Sequence, residues 1–95
     1  MMHVGALTIE LYLPGCDSLK KKRSRLKPLL ARLHREFNIS AAEIDLNDRH
    51  RVAMVACAIV SNDAIHIQRV FEKIPGWIEK NRPDIQVVDQ QIMFL

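Results

Sequence analysis

Apolar residues along this chain keep two different periods, and the order in which those periods alternate leaves few folds open. From Val4 to Leu13 they recur at every second position. Leu7, Ile9, Leu11 and Leu13 point one way and Thr8, Glu10 and Tyr12 the other, the pattern of a half-buried strand. Pro14-Gly15 breaks it. Ser18 stands where a helix N-cap belongs, and Leu19, Leu26, Leu29, Leu30, Leu33 and Phe37 follow at helical spacing. An interior proline removes a backbone hydrogen bond at a cost of about 3 kcal/mol. The stripe nevertheless stays in phase across Pro28, which predicts one kinked helix rather than two, ending at Asn38.

Alternation then returns. Ala42, Ile44 and Leu46 interleave with Glu43, Asp45 and Asn47, which reads as a strand with one acidic face. Asn47-Asp48-Arg49-His50 reads as a hairpin turn. Val52 to Val60 is apolar on both faces, as expected of a central strand. Ser61-Asn62-Asp63 caps a second helix with the stripe Ile67, Val70, Phe71, Ile74 and Ile78, which Pro75-Gly76 is expected to bend or end early. Pro83-Asp84 opens a last strand whose phase changes near Val88 and Asp89, the mark of a bulge. The order is βαββαβ. With right-handed crossovers it folds most simply into an α+β, ferredoxin-like domain spanning residues 1–95: a four-stranded antiparallel sheet with both helices on one face.

The 95 residues are 48% hydrophobic and 26% charged, a globular composition. No basic n-region with an apolar h-region opens the chain, and its longest apolar run is too short to span a bilayer, so the expectation is a cytoplasmic protein without a membrane partner. Cys16 and Cys57 are expected as free thiols. Charge is concentrated. Residues 17–36 hold Lys20, Lys21, Lys22, Arg23, Arg25, Lys27, Arg32 and Arg35 against Asp17 and Glu36, about +6, while the six basic and nine acidic residues elsewhere give −3. The net charge of +3 therefore hides a dipolar molecule whose first helix attracts polyanions.

The stretch PGCDSLKKKRSRLKPLLARLHREFNISAAEIDLND, followed by AIVSND, resembles the YlxP-like family of small bacterial proteins of unassigned function. Its specific parts are Ser18-Leu19-Lys20 with Lys22-Arg23, Arg32-Leu33 with Phe37-Asn38, Ala42-Glu43 with Asp45, and Val60-Ser61-Asn62. The likeness covers essentially the whole chain. It departs from the family pattern at His50, where a Trp is common, and at Val52, where a basic residue is common. The resemblance implies the same fold and a gene context beside translation and ribosome-maturation factors. It brings no catalytic residues.

The chemistry to be weighed is therefore binding. Cations in the first turns of a helix oppose its macrodipole. An anion at the turn of Gly15, Ser18 and Leu19 would meet both unpaired amides and lysines. A phosphodiester backbone supplies such anions in series. Lys20, Lys21, Lys22, Arg23, Arg25 and Lys27 are the expected nucleic-acid contacts, with RNA or a ribosomal particle as partner; the alternative is a face kept basic for solubility. Base stacking on the open sheet is disfavoured, since Tyr12 is the only aromatic on the outward face of the first strand, the third strand has none, and Glu10, Glu43 and Asp45 are read as facing outward nearby. The second apolar face of the third strand instead suggests a homodimer or another protein docked on the sheet. His3, His34, His50 and His66 have no metal-ligand spacing, and no cofactor is implied. The loop after the first strand lacks the Arg of acylphosphatase-like sites, so a non-catalytic role is favoured while an enzyme stays open.

Overall fold

The computed structural model describes residues 1–95 as β1 (His3–Tyr12), α1 (Leu19–Phe37), β2 (Ser40–Asp45), β3 (Val52–Ser61), α2 (Ala64–Asn81) and β4 (Gln86–Phe94). The strands form one antiparallel sheet in the order β2-β3-β1-β4. β1 is central. It pairs with β3 from His3 opposite Ser61 to Tyr12 opposite Val52, and with β4 along its other edge. This is the ferredoxin-like α+β arrangement that the periodicity predicts. No helix is long and apolar enough to cross a membrane.

The period-2 residues Leu7, Ile9 and Leu11 of β1 and Ala53, Val55, Cys57 and Ile59 of β3 turn to one side of the sheet. There they meet Leu26, Leu29 and Leu33 of α1 and Ile67, Phe71, Ile74 and Ile78 of α2 in one buried cluster. Each such aliphatic side chain contributes roughly 1.5–3 kcal/mol through removal from water. α2 lies so close to β1 that a Cβ added at Gly5 would stand 2.5 Å from Ile67 Cγ2 and 3.0 Å from Phe71 Cε2. Glycine at that position is therefore a packing requirement.

The caps are those the sequence indicates. Ser18 Oγ accepts from the Lys21 amide at 3.1 Å, Asn38 closes α1 in the left-handed region, and Asp63 Oδ1 accepts from the Ile65 and His66 amides. α1 runs unbroken through Pro28. Two expectations need correction. α2 does not end early at Pro75-Gly76 but continues to Asn81, because Ile74 and Ile78 remain buried on either side of that pair and tertiary packing outweighs propensity. β2 also faces the other way from its reading as far as Glu43. Ala41 and Glu43 lie opposite buried Cys57 and Val55, so they face the helices, while Ala42 lies opposite Ala56 on the open face. A register shift between Glu43 and Asp45 then returns Asp45 to the open face, opposite Met54. The irregularity expected near Val88 is present: Leu11 pairs with Val87 and Glu10 with Asp89.

Candidate anion-binding surface on the first helix

α1 is amphipathic with a twist in its composition, for its inner stripe begins with a lysine. Lys22 is 1% exposed, and its ammonium donates to Leu46 O and Arg49 O, both at 2.7 Å, while standing 2.6 Å from Glu43 Oε2. That carboxylate oxygen is itself buried and has no hydrogen-bond partner, so the ion contact is what compensates it. Lys22 thus pins the β2–β3 hairpin to the helix. It is withdrawn from the expected nucleic-acid contacts, because an ammonium enclosed by three oxygen acceptors cannot present itself to a phosphate.

Two other members of the expected set are engaged with the molecule's own groups. Lys21 pairs with Asp17 at 2.9 Å across one exposed turn, and the Lys21 ammonium beside it holds the Asp17 carboxyl below the usual carboxylate range. Arg25 donates through Nη1 to Pro14 O at 3.0 Å and through Nη2 to Asp84 O, and its Nε lies 3.3 Å from Asp84 Oδ2. Arg82 completes that knot: its Nε and Nη2 reach the two Asp84 oxygens at 3.0 Å each, and its Nη1 donates to Arg25 O at 2.9 Å. The Arg82 guanidinium lowers the Asp84 pKa. The knot joins the end of β1, the middle of α1 and the α2–β4 loop. It is a structural clamp that half-removes Arg25 from solvent.

Lys20, Arg23 and Lys27 remain. All three are exposed and none has a hydrogen bond or ion pair within the chain. Their spacing of three and four places them on one ridge, in line with exposed Arg35 two turns further on. Arg32, by contrast, stacks over the Trp77 ring with its Cζ 4.9 Å from the centroid and donates to Asn81 Oδ1. Trp77 also meets Phe37 edge-on at 5.6 Å, so it is a packing residue between the helices.

The proposed anion turn is built otherwise than expected. Cys16 N donates to Leu13 O at 3.3 Å, closing a turn with Pro14 and Gly15 at its centre, and Gly15 has φ +73°. Positive φ at that third position is what a type II turn requires, and it accounts for the glycine without a ligand. The Ser18 hydroxyl occupies the Lys21 amide, while Leu19 is half-buried and its amide belongs to the unpaired first turn. The Asp17 carboxylate already places a negative charge at this helix start.

The fold also brings in residues that the charge tally left aside. Arg49, His50 and Arg51 form the exposed tip of the β2–β3 hairpin and lie against the β1–α1 loop, where Arg51 O accepts from Leu13 N at 2.7 Å and Arg51 Nε donates to Cys16 O at 3.3 Å. The antiparallel pairing of β1 with β3 is the signal that could have found them, since it sets the start of β3 beside the end of β1.

The open sheet face divides into two ends. Ala6, Ala42, Ala56 and Ala58 line a shallow depression of about 260 Å³, near Val60 at 64% exposure. The other end carries Thr8, Glu10, Met54, Asp89 and Gln91. Both cysteines are free and buried, and burial raises the Cys57 thiol to about 12. His34 Nδ1 lies 2.7 Å from Ile39 O, at the far end of α1 from His50.

Comparison with known proteins adds identity but no ligand. "Uncharacterized protein YlxP" of Bacillus subtilis (strain 168) is 28% identical over 83 residues, covering 87% of this chain and 89% of that protein. Residues 4–92, running through all six elements, match the family described as "Protein of unknown function (DUF503)". The surface just described, with its buried lysine and its exposed cationic ridge, is therefore that of a YlxP-like protein, and the chain belongs to the DUF503 family.

Proposed function

We propose that this chain is a non-enzymatic, cytoplasmic RNA-docking protein whose first helix lies on the phosphate backbone of RNA, ribosomal RNA being the intended class. The observation that carries this reading is the ridge of Lys20, Arg23 and Lys27, three exposed cations in line with no internal acid to neutralise them. Lys20 stands in the first turn, where a cation opposes the helix macrodipole, and none of the three cations has an acid of the chain as partner. Phosphates neutralised by them release counterions, which makes affinity fall steeply with salt. Such contacts position the protein and read no sequence.

The test is RNA binding by fluorescence anisotropy across a salt series. A Lys20→Ala/Arg23→Ala/Lys27→Ala variant is expected to bind at least about tenfold more weakly at low salt, with the log–log salt slope reduced by about 2–3. Absence of wild-type binding at low ionic strength, or an unchanged variant, removes the reading.

A second reading, a homodimer through the open sheet, is favoured by the alanine-lined depression beside exposed Val60 and Met93. Its affinity would tolerate salt. A strict monomer by light scattering at micromolar concentration excludes it.

A further inference from the structure

Resting on the reading above, we propose that the tip of the β2–β3 hairpin is the second arm of the same surface, and that α1 and the tip together hold the backbone of a double-stranded RNA stem. The tip exposes two cations, Arg49 and Arg51, on either side of exposed His50, with Asp48 as the one acid of the turn. The tip stands at the N-terminal end of α1, across a cleft of about 500 Å³ lined by Asp17, Asp48, Arg49, His50, Arg51 and Val52. Of the two carboxylates there, Asp17 is already paired with Lys21. On α1, exposed Lys20 and Arg23 stand within two residues of Lys22, the lysine bonded to the turn of the tip.

The tip is also held in place before any ligand arrives. Arg49 N donates to Leu46 O at 3.0 Å, closing the turn, and Leu46 adopts φ 61°. Lys22 donates to the carbonyls at both ends of that turn, Leu46 and Arg49, at 2.7 Å each. Arg51 is bonded through its carbonyl to Leu13 and through Nε to Cys16. A loop fixed by these bonds loses little freedom on binding, so its charges are preorganised for an extended partner. The buried lysine, lost as a direct contact, thereby positions two arginines.

The choice of a paired stem follows from what the surface lacks. Single strands are held by aromatic platforms inside basic grooves. Here Trp77 packs edge-on against Phe37 and beneath Arg32, and Tyr12, which pairs with the cleft residue Val52, faces the open side of the sheet beside Glu10. A surface of cations that offers no free Phe or Trp, and a single Tyr set beside an acid, suits a partner with its bases paired and its phosphates outward. α1 is packed along the sheet and offers only its outer ridge, so it lies across phosphate rows rather than entering a deep groove, which fits the shape-based recognition of A-form RNA.

The experiment compares three labelled probes of one sequence, a stem of about 16 base pairs of RNA, its single strand, and the matching DNA duplex, over a salt series with the full chain. Arg49→Ala/Arg51→Ala is expected to weaken stem binding at least about tenfold and to reduce the salt slope by about 2. Arg51→Lys keeps the charge but not the contact to Cys16, and is expected to bind like wild type; if it fails as the double variant does while both melt normally, the role is loop geometry and the proposal falls. Arg49→Ala alone, whose side chain makes no bond in the molecule, should give a slope lower by about 1. Loss of binding in the Lys20/Arg23/Lys27 variant with none in the hairpin variants overturns this inference and leaves the helix reading standing. Tighter binding of the single strand, or equal binding of the DNA duplex, overturns the assignment to an RNA stem. No binding by any form removes the helix reading first and this inference with it.

Discussion

The two helices cover one face of the same sheet, run 19 and 18 residues, and each carries an interior proline, yet their solvent sides differ. α1 exposes Lys20, Lys21, Arg23, Lys27 and Arg35 against Glu36 alone. α2 exposes Arg69, Lys73 and Lys80 against Glu72 and Glu79, a near balance. Their inner stripes do the same work, Leu26, Leu29 and Leu33 in one and Ile67, Phe71, Ile74 and Ile78 in the other. Packing therefore constrains the inner faces alike and leaves the outer faces free. Since α2 shows that the fold needs no uniform charge on a solvent side, the charge on α1 calls for another cause. Within α1 the same division recurs between cations that hold the structure and cations that face only water.

Three tests would break or sharpen that division. The largest effect is expected at Lys22. Lys22→Ala leaves Glu43 and two turn carbonyls without their partner, and should cost about 3–5 kcal/mol in denaturant unfolding, whereas Lys27→Ala should stay within about 0.5 kcal/mol. A small loss at Lys22 would mean that the hairpin is held by other contacts. Replacing both members, Lys22→Met with Glu43→Leu, should recover the part of the loss that comes from the unpaired carboxylate and not the part that comes from the Leu46 and Arg49 carbonyls.

Gly5→Ala comes next and probes the α2 side. The new methyl would meet Ile67 and Phe71, and overpacking of this kind costs about 1–3 kcal/mol. The ridge of α1 is untouched, so RNA affinity of the folded fraction should not change.

The smallest effect is the pH dependence of the Arg25–Asp84–Arg82 knot. The Asp84 pKa is lowered in the folded chain below its ordinary 3.8. A depressed carboxyl stabilises the fold above its unfolded pKa, and that contribution disappears as pH falls through the lower folded value. With the Asp84 side chain 46% exposed, the contribution is screened and lies within the roughly 0–1 kcal/mol of such pairs. Acid unfolding of Asp84→Asn should accordingly be slightly shallower than that of wild type below about pH 4. An identical acid limb in both proteins would show the knot to be energetically idle.

Much of this architecture was legible before the structure because its periods are local. Leu7 to Leu13 and the two helical stripes announce their elements unaided, and Ser18, Asn38 and Asp63 mark boundaries by chemistry that acts within three residues. What escaped depends on partners distant in sequence. A lysine inside a run of four cations reads as solvated, and only the arrival of Glu43, Leu46 and Arg49, at least 21 residues away, makes its burial tolerable. The orientation of β2 escapes the local pattern for the same reason: Ala42 and Ile44 form the apolar set, yet it is Glu43 that turns inward, to that lysine. Arg49 and Arg51 belonged to the acidic remainder of the tally until strand pairing set them beside the first helix. Pro75-Gly76 is a breaker by composition, and only the burial of Ile78 beyond it shows why the helix goes on.

The central claim, that the charge of α1 serves a polyanion and not solubility in general, is tested most directly by removing three charges from each helix in turn. Salt titrations of RNA binding would compare Lys20→Ala/Arg23→Ala/Lys27→Ala with Arg69→Ala/Lys73→Ala/Lys80→Ala, which lower the net charge equally. We predict that the first variant loses about 2–3 from the salt slope while the second keeps the wild-type slope. Equal losses from both helices, or no binding to begin with, would contradict it.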